Sequence, residues 1–172
     1  MAESYITEAM RGAVGGQMRR QVSYPVAESD IRKWAIAVYY PEDPPRAFID
    51  AEDARTTPWG GMVAPEEFNP FGWLAAEAEG PEPPREITNT DRVEIMLGVE
   101  GPHLANQLNG GMEVEYGEPI RPGDVITSVS RLAGYHERDG RLGRMLFTQI
   151  EDVWTNQKVE VVKRTTSTLI RY

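Results

Sequence analysis

Residues 60–79 read GGMVAPEEFNPFGWLAAEAE, and the assignment of this stretch decides the fold. Phe71, Leu74, Ala75 and Ala78 recur at i, i+3, i+4 and i+7, the spacing that puts side chains on one helical face. Pro70 suits a first helical position, where its missing N–H would be unpaired in any case. Asn69 can cap the start, and Gly80-Pro81 stops the run. The pattern predicts a buried helix, and the chain beyond it reads as strand. The expected class is therefore α+β, an antiparallel sheet wrapped around one long central helix. A core helix of some other α+β domain satisfies the same periodicity.

Upstream, residues 1–21 contain Gly12, Gly15 and Gly16 and read as an arm or short helix, leaving 22–172 as one domain. Ile31, Trp34, Ala35, Val38 and Tyr39 keep helical spacing, with Ser29 or Asp30 as N-cap. This helix ends before Pro41, because a residue preceding proline is pushed out of the α region. A rigid PEDPP loop comes next, and Asp50 then caps a helical turn over residues 51–55. Downstream, residues 80–109 form a long irregular region with a short apolar patch from Val93 to Val99. Such a length marks a functional flap or local mobility, and both readings stay open.

From Gly110 the signals are those of sheet. Met112, Val114 and Tyr116 alternate with Glu113 and Glu115, as in a strand with one buried and one wet face. Arg121-Pro122-Gly123-Asp124 has the residues of a turn. Strands are expected over 125–136, 144–154 and 159–170, joined by Asp139-Gly140 and Thr155-Asn156-Gln157.

Composition removes several function classes. The chain has 172 residues, enough for one domain with a real core, and 27 acidic against 18 basic residues give a net charge of −9. That balance opposes phosphate-backbone binding, which draws on Lys and Arg, so no nucleic acid partner is expected. No apolar run approaches the roughly 20 residues of a membrane helix. The amino terminus, with Glu3 and Glu8, lacks signal-peptide organisation. The expectation is a cytoplasmic protein with no membrane partner. With no cysteine, and only His103 and His136 for imidazole chemistry, neither a metal site nor a cofactor is expected.

Five pieces in order resemble one family: DIRKWAIAVYYPEDPP, FIDAEDAR, WGGMVAPEEF, LNGGMEVEYGEPIRPGD and GRMLFTQIEDVWTNQ. Their succession, over about residues 22–172, is similar to the MaoC-like dehydratase superfamily, in particular its amino-terminal, FAS1-like dehydratase type of hot-dog domain. The resemblance implies (R)-specific hydration of enoyl thioesters, or dehydration of 3-hydroxyacyl thioesters, on coenzyme A or acyl-carrier protein. Catalytic members carry Gly-Asp-x-Asn-Pro-x-His after the first helix, where the aspartate and histidine activate water. Here the loop is Tyr40-Pro41-Glu42-Asp43-Pro44-Pro45-Arg46-Ala47. One register puts Pro41 and Arg46 at the two positions, the other Glu42 and Ala47, and neither restores an acid and base pair.

The resemblance then implies the non-catalytic, acyl-binding half of a heteromeric hydratase. Its partner would be a second hot-dog subunit that carries the aspartate and histidine. The alternatives are a self-sufficient homodimer with acid and base relocated to Asp43 or His103, and a non-enzymatic acyl-thioester binding module. Fatty and bulky ring-bearing acyl chains are equally compatible. Candidate substrate-binding residues are Trp59, Gly60 and Gly61, ahead of the expected helix, and Asn109, Gly110 and Gly111, which mark either a tight entry into the strand or, since the glycines lack a Cβ, a close approach of backbone to a thioester. His136 and the RDGRLGR run, residues 138–144, read as a solvated hairpin end.

Overall fold

The computed structural model describes residues 4–172 apart from Arg85, Ile87, Thr88 and Leu142. Six strands form one sheet: β1 Gln17–Ser23, β2 Ala75–Glu79, β3 Gln107–Tyr116, β4 Thr127–Gly140, β5 Gly143–Thr155 and β6 Val161–Arg171. Their order is β2-β1-β4-β5-β6-β3, and every pairing is antiparallel. Turn chemistry sets the connections. At Arg121–Asp124 the aspartate carboxylate accepts from Arg121 N at 2.7 Å while Gly123 takes φ 88°. The β4–β5 hairpin closes further along than Asp139-Gly140 implies. Asp139 pairs with Arg144 and Gly140 with Gly143; Leu142 of the RDGRLGR run lies outside the described residues.

Four short helices accompany the sheet: α1 Glu8–Gly12, α2 Glu28–Tyr39, α3 Ala51–Arg55 and α4 Arg92–Leu97. The arm read at 1–21 thus holds α1 and most of β1, its first three residues lying outside the described ones. The expected amphipathic helix forms as α2, with Ile31 and Ala35 buried. Its N-cap is Ala27 rather than Ser29 or Asp30, and Glu28 and Asp30 instead complement the positive end of the helix dipole from the first turn. Asp50 caps α3 as read, accepting from Glu52 N and Asp53 N at 2.8 and 3.2 Å. The apolar patch in the 80–109 region is α4.

The helix expected over 70–79 does not form. Asn69 Oδ1 accepts from Phe71 N at 2.9 Å and Gly72 N donates to Asn69 O at 3.1 Å, which closes a turn where the first helical turn would begin. Ala75–Glu79 then extends as edge strand β2 against β1, with Glu79 and Glu77 at 3.1 and 3.8 Å from Arg20. Long-range pairing overrides the helical preference of an Ala/Glu run. Of the expected inward stripe only Phe71 joins the core, edge-on to Trp154 at 5.3 Å, while Leu74 is 66 % exposed. Leu74→Ala should therefore change stability by no more than about 0.5 kcal/mol. A denaturant midpoint displaced well beyond that would restore the helical assignment.

Cross-strand pairs put Trp154, Asp152, Ile150, Thr148 and Leu146 on one face of β5, and the core covers that face at its two ends. At one end Trp154, Ile126 and Val162 pack with Ile31 of α2 and with Phe68. At the other, Leu132 and Met18 pack with Val93 of α4. Between them Ser128, Ser130 and Asp152 form the polar floor of a hollow of about 510 Å³. Ser128 Oγ and Trp154 Nε1 both donate to Asp152, at 2.7 and 2.8 Å.

A buried charge network holds α4 to the sheet. The guanidinium of Arg171, at the end of β6, donates to Glu94 at 2.7 and 2.8 Å, and both side chains are fully buried. It also donates to Thr148 Oγ1 at 2.7 Å and Thr90 O at 2.9 Å, and Tyr135 Oη donates to Glu94 at 2.6 Å. Burial pushes the Glu94 carboxyl up, but the hydrogen bonds from Arg171 and Tyr135 and the Arg171 charge outweigh it and leave the pKa below its ordinary value.

Candidate functional site

The C-terminal half of α2, the 59–67 segment and the chain leaving β3 enclose a cavity of about 400 Å³. Val38, Phe48, Trp59, Val63 and Val162 make its walls apolar, while Glu66, Glu67, Glu118, Tyr116 and Lys163 supply the polar groups. Strand register places three of the decisive side chains. Trp154 of β5, Lys163 of β6 and Tyr116 of β3 are direct cross-strand partners, so they form one row on one face. The Lys163 ammonium lies 5.1 Å from the Trp154 ring centroid and 5.4 Å from that of Tyr116.

Tyr116 Oη donates to Glu67, whose other oxygen is 3.6 Å from Lys163 Nζ. The Tyr116 hydrogen bond, helped by the Lys163 charge, holds the Glu67 carboxyl below its usual range. Burial and Glu67 together push the Tyr116 phenol up to about 12. Glu67 is therefore the charged acceptor and Tyr116 a neutral donor at neutral pH.

The sequence-based candidates are dispersed. Trp59 lines the cavity, 47 % exposed, and its carbonyl accepts from Arg121 at 3.1 Å. Gly60, at φ 64°, ends a turn closed by Gly60 N to Thr57 O and Gly61 follows it, with no helix beginning behind them. Asn109, Gly110 and Gly111 lie inside β3, not at its start, and form a bulge in which Asn109 Oδ1 accepts from Gly111 N. There a Cβ on Gly110 would meet Thr168 and Ile170 of β6 at 2.9 Å, so the close approach is to a neighbouring strand. Asp43 is exposed on the loop after α2, and neither it nor Glu42 lines the cavity. Arg46 is held by Asp50 and Asp53 of the α3 cap.

His103 has a partner invisible in the sequence: its Nδ1 is 2.6 Å from Asp91 Oδ2, and its backbone N donates to both Asp91 oxygens at 3.2 Å. It sits 71 % exposed, beyond α4, and does not line the cavity. His136 is exposed and stacks on Phe147 at 4.6 Å. Lys163, Glu67 and Tyr116 escape sequence reasoning because no local motif links residues so far apart. The available signal was Tyr116, in an otherwise Glu-rich strand, opposite a lysine in the last strand. Among the described residues no group of His, Cys, Asp and Glu has the arrangement of a metal site. Nor, among the described residues, is any helix long and apolar enough to cross a membrane.

Known structures share this architecture. A MaoC-like dehydratase from Rhodospirillum rubrum superimposes with a TM-score of 0.56 at 21% identity, over 93% of this chain and 92% of that one. The ChsH1-ChsH2 complex from Mycobacterium tuberculosis gives a TM-score of 0.63 at 18% identity, over 92% and 85%. The HadBC 3R-hydroxyacyl-ACP dehydratase complex of the same organism gives 0.54 at 17%, over 91% and 99%. No curated protein sequence matches the chain. The family model of the FAS1-like dehydratase domain region matches residues 13–165. With that match spanning most of the chain, the protein belongs to the family of the FAS1-like dehydratase domain region, and its sheet has the hot-dog fold of those neighbours.

Proposed function

We propose that this chain is the acyl-binding, non-catalytic half of a heteromeric (R)-specific enoyl-thioester hydratase or 3-hydroxyacyl-thioester dehydratase. One contrast carries the reading. The cavity beside the loop after α2 is present, yet the loop that should supply acid and base offers only the exposed Glu42 and Asp43, neither lining the cavity, and an Arg46 already held by two aspartates. A general base works only within hydrogen-bond reach of its proton. The catalytic aspartate and histidine would then come from a second hot-dog subunit, and the heteromeric neighbours ChsH1-ChsH2 and HadBC support such an assembly.

The free sheet edges differ as docking sites. Strand β2 is short and carries Glu77 and Glu79, charges that discourage pairing. Strand β3 is longer, has β6 on one side only, and leaves Leu108, Met112 and Tyr116 partly exposed. The buried face expected from the alternation of Met112, Val114 and Tyr116 is not formed: Met112 is 60 % exposed, and Tyr116 is covered only in part, by Glu67. The partner is therefore assigned to the β3 edge, next to the cavity that Tyr116 lines.

The test is hydration of crotonyl-CoA by the lone chain and by the chain with a hot-dog subunit carrying the intact GDxNPxH motif. The lone chain should show background turnover, and the partner should raise it about 100-fold or more. One observation favours the self-sufficient alternative, the His103–Asp91 contact. Robust turnover by the lone chain, abolished in His103→Ala, would establish that alternative instead.

A further inference from the structure

Lys163 is an unusual side chain for its position. It lies on the inward face of β6 with 13 % of its side chain exposed, and that remainder opens into the cavity. An ammonium has three donors and is strongly hydrated, so burying it without acceptors is costly. Here two ring faces and one carboxylate compensate it electrostatically, the carboxylate oxygen at 3.6 Å. Among the described residues none accepts a hydrogen bond from Nζ at shorter range. The donors that line the cavity are thus left for whatever occupies it.

Charge narrows the occupant. Glu66, Glu67 and Glu118 border the same space, so the surroundings of Lys163 are negative overall and repel a free carboxylate or a phosphate. The walls formed by Val38, Phe48, Val63 and Val162 receive hydrocarbon. A neutral acceptor attached to an apolar chain satisfies both conditions. The helix that the sequence led us to expect behind Gly60-Gly61, whose N-terminal amides would be alternative donors, does not form.

We propose that Lys163 Nζ is the hydrogen-bond donor that positions the carbonyl oxygen of a neutral acyl thioester in this cavity, held in place by the Trp154 and Tyr116 rings and by Glu67. The inference rests on the acyl-binding reading above. Tyr116 keeps Glu67 in register by its own hydrogen bond, which leaves the ammonium directed at the cavity and not at solvent.

Isothermal titration of the full chain with two probes tests it. One is S-hexanoyl-N-acetylcysteamine, a thioester; the other is S-hexyl-N-acetylcysteamine, the thioether lacking only the carbonyl. The wild type should prefer the thioester by about tenfold, the range of one hydrogen bond to a charged group. Lys163→Met should abolish that preference while leaving thioether affinity unchanged, which also shows that the cavity is intact. Lys163→Arg should keep part of it. If Lys163→Met loses both probes, the arginine variant decides, and its binding of both with equal affinity would overturn the proposal. Equal affinities in the wild type, or a preference that survives Lys163→Met, overturn the role of Lys163 and leave the acyl-binding reading standing. Failure of the wild type to bind either probe overturns both.

Discussion

Glu94→Ala is expected to destabilise the protein by about 3–5 kcal/mol, because it takes from the fully buried guanidinium of Arg171 the carboxylate that hydrogen-bonds it twice and leaves only Asp91, at 3.6 Å, as a countercharge. The cost is not the value of the ion pair, since both ions were desolvated to make it. It is the cost of a poorly compensated buried charge, whose remaining partners are Thr148, Thr90 and, at 3.6 Å, Asp91. Arg171 already has a buried Nε without a hydrogen-bond partner. Tyr135→Phe, which removes one donor to Glu94 and no charge, should cost clearly less. Denaturant midpoints of the two variants check the order; equal midpoints would mean that water enters the network.

The same carboxylate sets an acid limit. Its folded pKa lies below the unfolded value, so its stabilising contribution is complete above the ordinary carboxyl range and is lost as pH falls through the folded pKa. The wild type should therefore lose stability on acidification below about pH 4.5, the ordinary value for glutamate, more steeply than Glu94→Gln.

Ile31→Ala is expected to cost about 2–5 kcal/mol, from lost transfer energy and the cavity left behind. Ile31 is fully buried where α2 meets Trp154 and Val162 of the sheet and Ile126 just ahead of β4. The C-terminal turn of the same helix gives Val38 and Tyr39 to the cavity, so loosening α2 should also weaken binding of the thioester probe. Thermal unfolding and the titration measure the two effects separately. A shift as small as that of Leu74→Ala would show that α2 is not the helix that anchors the core.

The sequence by itself determined the elements whose partners are local. α2, the Asp50-capped turn and the Arg121–Asp124 turn all derive from spacings within a few residues, where the backbone meets its own caps and turn residues, whereas the strand read from Met112 onward forms without the buried face its alternation implies. The absence of the acid and base pair after α2 was likewise legible, being a matter of residue identity. Tertiary structure decided the 69–79 segment, because its Ala/Glu run suits a helix alone but pairs as an edge strand once β1 lies beside it. It also decided the candidate site. Lys163, Tyr116 and Glu67 meet only because β3, β5 and β6 pair in one register, and His103 meets Asp91 only because the chain beyond α4 folds back. Contacts made by register between distant strands leave no periodic trace in the sequence, whereas contacts within a turn or a helix do.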